Sequence, residues 1–582
     1  MKKVVLAALN AKYIHSNLAL RYLSRFQENE KKHTILTREF TINQREDLIL
    51  EELFRLQPDV ILFSAYIWNI EELRQLCPVL KKILPQCIIG LGGPEVSYES
   101  ETFLRENPAV DLVMRGEGEL VFTKLLEHWD YGIPASLEEI GSLTFRQGDK
   151  IHSTLPEPPL DLALLPFPYE ADFSDVANQI IYYESSRGCP YHCGYCLSSV
   201  EQGVRFVPLE KVLPDLQKFL DANVRQVKFI DRTFNCKKSH AMAIWQYLHT
   251  HDNGVTNFHF EMTADLIDAE MLAFLKQVRK GLFQFEIGVQ STNPHTIEAI
   301  DRNVDFEKLS GIVKKIKAGG NIHQHLDLIA GLPYEDYVSF GHSFDDVYAL
   351  APEQLQLGFL KVLKGSMLHR RQEEFSIVYH DRAPYEVLTT HALPYRDILR
   401  LKYIEEMVET YYNSGRFLHT LAYLVPLYES PFSFFEALAD FWFEQGCQYL
   451  GVSKSGLWDV LWQFVQKKET VDKTAFQWAL KFDIACHEKP KKLPAWLTVG
   501  GNGQEYERIT GKLAEKYFPH YAEIEKKTRI KQTYLDVFGE EDPKAVLFDY
   551  GRKDLLGNAE YLVLPMAEVS ALLEEDKRRS GR

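Results

Sequence analysis

The amino-acid sequence predicts an α/β protein in three parts: a doubly wound N-terminal domain, an incomplete parallel (β/α)6 barrel and a mainly α-helical C-terminal domain. Three observations carry this. Short apolar runs alternate with amphipathic helical stretches up to about residue 370, the pattern of buried parallel strands with crossover helices. A proline-rich connector divides that series into two. Beyond Arg370 the chain turns to long helices rich in Tyr, Phe, Trp and Leu. At 582 residues it exceeds one domain of roughly 150 residues several times over.

The first domain, 1–135, has strand-like runs at 4–9, 60–65, 88–92 and 112–114, with helical patterns at 19–28 and 71–83 between them. Its opening apolar run ends by Leu9, and Asn10, Lys12 and His15 follow, so it reads as a first buried strand rather than a signal peptide. The strand ends carry the informative residues: Ser64 and Tyr66, then Gly92-Gly93-Pro94-Glu95, then Gly116-Glu117-Gly118. Ligands of open α/β sheets sit beyond the carboxyl ends of the strands, and glycines there let backbone approach a large ligand. No G-x-G-x-x-G follows the first strand, so a dinucleotide fingerprint is absent.

Residues 136–178 read as a stiff linker because of the prolines at 155–160 and 165–169. From 179 to 370 six strands are expected, at 180–184, 226–230, 258–262, 283–289, 325–329 and 354–359. Helices at 209–220, 240–249, 269–278 and 306–317 separate them, the last closed by Gly319-Gly320. The C-terminal domain, 371–582, shows helices at 395–412, 417–427, 432–444 and 457–465 and a β-like tail at 545–549 and 561–564. It carries no motif and reads as an accessory domain over the barrel mouth.

Bulk properties narrow the function. A net charge of −16 argues against nucleic acid as a partner, since that affinity rests on Lys and Arg. No segment approaches the ~20 apolar residues of a membrane span. Eight cysteines in so long a chain, three of them clustered, fit metal chemistry in a reducing cytoplasm better than a disulfide framework.

Those three are Cys189, Cys193 and Cys196, a C-x3-C-x2-C loop following the first barrel strand, on the rim where barrel enzymes carry their chemistry. Iron–sulfur clusters usually take four cysteines, so three leave one iron open to a substrate or cofactor. A structural zinc site completed by His192 or Cys236 is the alternative, but structural zinc sites often pair two C-x2-C units and no second unit exists. Cys77, Cys87, Cys447 and Cys486 lie in apolar or helical patterns and read as core.

The loop, with Tyr195 before its third cysteine, resembles the cluster motif of the radical S-adenosylmethionine (SAM) superfamily. That resemblance implies a [4Fe–4S] cluster on the three thiolates. It also implies SAM chelated to the open iron and cleaved to a 5′-deoxyadenosyl radical on reduction. Four further strand ends resemble the family in order: Asp231 within Phe229–Asn235, Glu261 within 258–262, Gln290 and Ser291 within 286–291, and Asp327 within 325–333. With Tyr195 these are the expected cofactor-binding residues of the barrel.

The N-terminal domain resembles the cobalamin-binding domain of one large radical SAM subgroup, through Ser64, Tyr66, Gly92, Gly93, Glu95, Gly116, Glu117 and Gly118. The Asp-x-His-x-x-Gly motif for a histidine lower ligand is absent, so His15 reads as a polar wall and the lower face of cobalt is unassigned. The resemblance covers about residues 1–370; the rest looks like the helical extension of some uncharacterised members. It implies a cobalamin-dependent enzyme for methyl transfer to an unactivated carbon of a small molecule or peptide. A reducing electron donor of flavodoxin or ferredoxin type would serve it. Three alternatives stand beside it: radical cyclisation or rearrangement, a non-catalytic cluster and corrin sensor, and a tRNA methylthiotransferase. The last needs three cysteines in the first domain, where only Cys77 and Cys87 stand.

Overall fold

The structure is a computed structural model that describes all residues except 1, 28–31, 132–135, 171, 177, 201–202, 498, 501–502, 555 and 581–582. Residue 28, expected to end the first helix, and residue 135, the expected limit of the first domain, lie outside the described residues. The chain forms two compact units, Met1–Asp336 with Gly358–Tyr395, and Tyr337–Leu357 with Arg396–Arg582.

In the first unit, β1 (Lys3–Asn10), β2 (Thr34–Thr41), β3 (Val60–Ser64), β4 (Ile88–Gly92), β5 (Leu112–Met114), β6 (Leu143–Gln147) and β7 (Lys150–Ser153) form one sheet. Its order is β2-β1-β3-β4-β5-β6-β7, parallel through β5. The sheet is doubly wound because β1 is buried on both faces. Val5, Ala7 and Leu9 join one core with Ile61, Phe63 and Leu91. Val4, Leu6 and Ala8 join the other with Leu62, Leu112 and Met114. Burying such a side chain contributes about 1.5–3 kcal/mol. The strand order reverses between β1 and β3, which opens a crevice at their carboxyl ends. Part of the segment expected to be linker, 136–178, is instead the antiparallel hairpin β6–β7 on the sheet edge.

The second sheet of this unit is the barrel: β8 (Ile181–Tyr183), β11 (Gln226–Phe229), β12 (Asn257–Met262), β13 (Phe283–Gln290), β14 (His323–Ala330) and β15 (Gln354–Phe359), adjacent in that order. Two short strands, β9 (Ser186–Gly188) and β10 (Val204–Phe206), pair antiparallel after β8. Alternation along the strands sorts the side chains. Phe283 and Phe285 pack on Trp245 of the helix Lys238–Thr250. Lys228, Glu286 and His259 meet on the opposite face, with Glu286 Oε2 2.9 Å from both partners.

The second unit is mainly helical, as expected. The helix Tyr337–Tyr348 packs Phe344 against Phe432 and Phe435 of the helix Pro431–Glu444, so the segment preceding β15 belongs to this unit. The expected strands widen to Lys544–Lys553 and Ala559–Leu564, with a further strand at Thr533–Phe538 beside them. No helix among the described residues is long and apolar enough to cross a membrane.

Candidate active site

The cysteine loop leaves the barrel at the end of β8 and is anchored at both sides. Asp231, at the end of β11, accepts from Ser185 N at 2.9 Å, Ser185 Oγ at 2.7 Å and Ser186 Oγ at 2.5 Å. Gly188 takes φ +97°, and a Cβ there would stand 2.1 Å from Gly203 O, so only glycine fits. Within the loop, Gly194 N donates to Ile300 O at 2.7 Å and Gly194 O accepts from Leu368 N at 2.8 Å.

Cys189, Cys193 and Cys196 thereby share the wall of one cavity of about 180 Å³ with Tyr195, Arg232, Thr233, Glu261, Glu286, Gly288, Gln290, Arg302 and Asp327. Cys189 Sγ lies 3.4 Å from Thr233 Oγ1. Of the expected barrel set, Tyr195, Glu261, Gln290 and Asp327 reach this cavity. Two do not. The Asp231 carboxylate is spent on the root of the loop, and Ser291 Oγ donates to Glu335 Oε1 at 2.5 Å. Their neighbours Arg232 and Gln290 line the cavity instead.

Electrostatics organise the cavity. Burial works against ionising Glu286, but His259 at 2.9 Å and the charge of Lys228 hold it down to about 2. Burial, with Glu286 and Glu261 beside it, pushes the Asp327 carboxyl well above the usual range. Burial also raises Glu261, against the opposing charges of Arg232 and Lys228. Arg302 escaped the sequence reading because it lies twelve residues past Gln290, on a separate element. Its Nη1 donates to Tyr195 Oη at 3.0 Å and Cys193 Sγ at 3.5 Å, and Nη2 to Gly288 O at 2.5 Å. A buried guanidinium against a thiol in this cavity was a signal only geometry could give.

The donor set fits the cofactors of a radical SAM site. Three thiols on one wall suit a cluster with an open iron. Asp327 Oδ1 and Gln290 Oε1 are buried without a hydrogen-bond partner, acceptors that match the amine and hydroxyls of SAM.

A second cavity, of about 400 Å³, lies at the carboxyl ends of the N-terminal strands. Ser64, Tyr66, Gly92, Gly93, Gly116, Glu117 and Gly118 line it as expected, together with Ser186, Arg187, Leu197, Ser198 and Arg232 of the barrel. Gly93 takes φ +117°, with a Cβ position 2.5 Å from Ala65 O, so the floor is bare backbone. Tyr66 stacks on Trp68 with centroids 4.4 Å apart. This broad wall of glycines and rings fits a corrin. No histidine is among its lining residues, and His15 Nδ1 instead lies 2.6 Å from Tyr182 Oη. Glu95 is also off this wall: it accepts from Tyr385 Oη and lies 3.8 Å from Lys364 Nζ.

Arg187, two residues before Cys189, ties the cavity walls together. It binds Glu184 at 2.7 Å and, across the domain boundary, Glu119 at 2.6 Å and Glu117 at 3.4 Å. Cys77 and Cys87 are buried in the N-terminal core, their thiols pushed up to about 12 by burial. They do not furnish a second cluster site.

Comparisons with known proteins agree. Residues 4–126 match the B12 binding domain family, 183–347 the radical SAM superfamily and 373–548 a protein family of unknown function, DUF4080. An uncharacterized methyltransferase of Pyrococcus horikoshii is 26% identical over 312 residues, covering 50% of this chain and 65% of that protein. The cobalamin-dependent radical SAM methyltransferase TokK of Streptomyces tokunonensis is 26% identical over 314 residues, covering 49% and 44%. The chain thus spans under two thirds of the length of these relatives. The cobalamin-dependent SAM radical enzyme OxsB, with aqua-cobalamin and SAM bound, shares the fold at a TM-score of 0.59 and 15% identity, over 83% of this chain and 80% of that one.

The chain thus carries a B12 binding domain at 4–126 ahead of a radical SAM domain at 183–347. More particularly, these two matched regions are followed in this chain by a third, at 373–548, matched to DUF4080.

Proposed function

We propose that this chain is a cobalamin-dependent radical SAM enzyme that transfers a methyl group to an unactivated carbon of a small molecule or peptide. One observation carries the reading: the thiol-lined cavity and the cavity at the N-terminal strand ends adjoin, with Arg232 on the wall of both. When bound, the cofactors supply a 5′-deoxyadenosyl radical and a transferable methyl group, as the methyltransferase names of the two relatives accord with.

The protein's part is holding and shielding. Cys189, Cys193 and Cys196 would hold iron, and Arg302 steadies the Cys193–Tyr195 stretch. Glu261, Gln290 and Asp327 would receive the hydroxyl and amine donors of SAM. Ser64, Tyr66, Gly92, Gly93 and the Gly116–Gly118 turn would cradle the corrin. The Arg187 ion cluster keeps that cradle against the cysteine loop. A flavodoxin- or ferredoxin-type donor would supply the electron, which together with eight free cysteines suits a reducing cytoplasm.

The test is anaerobic reconstitution followed by metal analysis and incubation with SAM and dithionite. Four iron per chain, a corrin spectrum and formation of 5′-deoxyadenosine are expected. Fully loaded protein that yields no 5′-deoxyadenosine overturns the reading.

A further inference from the structure

A substrate that loses a hydrogen at one cofactor and gains a methyl group at the other must lie within reach of both. Among the described residues, Arg232 is the single one that lines both cavities. Its main chain is fixed: the preceding Asp231 takes three hydrogen bonds from Ser185 and Ser186, and Thr233 Oγ1 donates to Arg232 O at 2.8 Å. The guanidinium makes no hydrogen bond to any described residue, and the side chain is 57% exposed.

The other cations nearby are occupied. Arg187 is held by Glu117, Glu119 and Glu184, Arg302 by Tyr195, Cys193 and Gly288, and Lys228 by Glu286. Among the described residues, the acid within 4.0 Å of Arg232 is Glu261, beyond hydrogen-bond reach and shared with Lys228 at 3.7 Å. A guanidinium with its fork of donors unfilled matches the planar, bidentate geometry of a carboxylate or phosphate.

Resting on the reading of two cooperating cofactors, we infer that Arg232 receives an oxyanion of the substrate, and that the substrate is a carboxylate- or phosphate-bearing molecule. The anionic group anchors at the junction, and the carbon to be methylated lies beside it. A purely hydrocarbon substrate would offer this guanidinium no acceptor.

SAM also carries a carboxylate, so the test separates the two sources. Reconstituted holoprotein is treated with phenylglyoxal, which modifies free guanidinium groups, and labelling at Arg232 is read by peptide mass spectrometry. Arms contain no addition, SAM alone, and SAM with succinate, inorganic phosphate or neutral succinamide, all at equal ionic strength. Buried Arg302 should stay unlabelled throughout. The expected result is that Arg232 stays reactive with SAM alone. Succinate or phosphate should then slow its labelling about threefold or more, and succinamide should not.

Full protection by SAM alone assigns the site to SAM and overturns the substrate role. Equal labelling in all arms, or equal protection by succinamide, overturns oxyanion recognition. A preparation without iron or corrin, or without 5′-deoxyadenosine formation, fails the enzyme reading instead, so the two failures are distinguishable.

Discussion

Replacing Arg187 by methionine tests what holds the two cavities together. Its guanidinium faces three carboxylates: Nε lies 3.1 Å from both oxygens of Glu184, and Nη2 lies 2.7 Å from Glu184 and 2.6 Å from Glu119. Nη1 adds Glu117 at 3.4 Å. The side chains of Arg187, Glu119 and Glu184 are 15%, 6% and 7% exposed, so water screens them little. Removing the cation strands nearly dry carboxylates, which costs about 3–5 kcal/mol. That is a large share of the roughly 5–15 kcal/mol that stabilises a domain. Urea unfolding of the apoprotein, followed through the first unit's transition, reads it. The triple variant E119Q/E184Q/R187M should recover most of the loss, because removing a buried ion cluster whole is far cheaper than breaking it. A single-variant loss below about 1 kcal/mol, the range of exposed pairs, would refute the reasoning. So would a triple variant as unstable as the sum of its parts.

Three further outcomes follow from the geometry. Changing Cys189, Cys193 or Cys196 to alanine should abolish stable iron binding, whereas C236A should leave the iron count per chain unchanged because Cys236 is off the cavity wall; iron loss in C236A would point to a fourth protein ligand. Glu286 is held below its usual value, so its contribution is present above pH 4.5 and lost as the pH falls toward about 2. The difference in unfolding free energy between wild type and E286Q should therefore shrink by about 3 kcal/mol across that window, and a flat difference would contradict the ion cluster. G93A forces a Cβ against Ala65 O at positive φ, so it should destabilise the first unit by more than about 1 kcal/mol and weaken corrin binding in a spectral titration; unchanged titration would remove Gly93 from the cradle.

Much of the architecture was legible because buried parallel strands write continuous apolar runs, as in Val4–Leu9. The strand Thr34–Thr41 was not, because as an edge strand its residues are nearly all partly exposed and carry Thr, Arg and Glu. The hairpin Leu143–Ser153, just ahead of the prolines at 156–159, was missed for the same reason: edge pairing needs little hydrophobic pattern. Within the site, spacing located the three cysteines, since their chemistry is local in sequence. Asp231, Ser291 and Glu95 sit at the right strand ends but face supporting structure, and a strand end read from one sequence does not say which of two adjacent polar residues turns inward. Arg302 and Arg187 act through contacts that only the folded barrel and the docked N-terminal domain create.

The contact between Tyr385 and Glu95 decides where this protein can be divided. Tyr385 lies within the stretch matched to DUF4080, yet that residue belongs to the first compact unit and satisfies a carboxylate just behind Gly92 and Gly93. Ending the chain at residue 370, where the helical pattern begins, would leave Glu95 with Lys364 alone at 3.8 Å. A fragment meant to keep the first unit whole must run through Tyr395. The opening of the DUF4080 region therefore packs as part of the first unit, and a module swap that honours the structure places its seam after Tyr395.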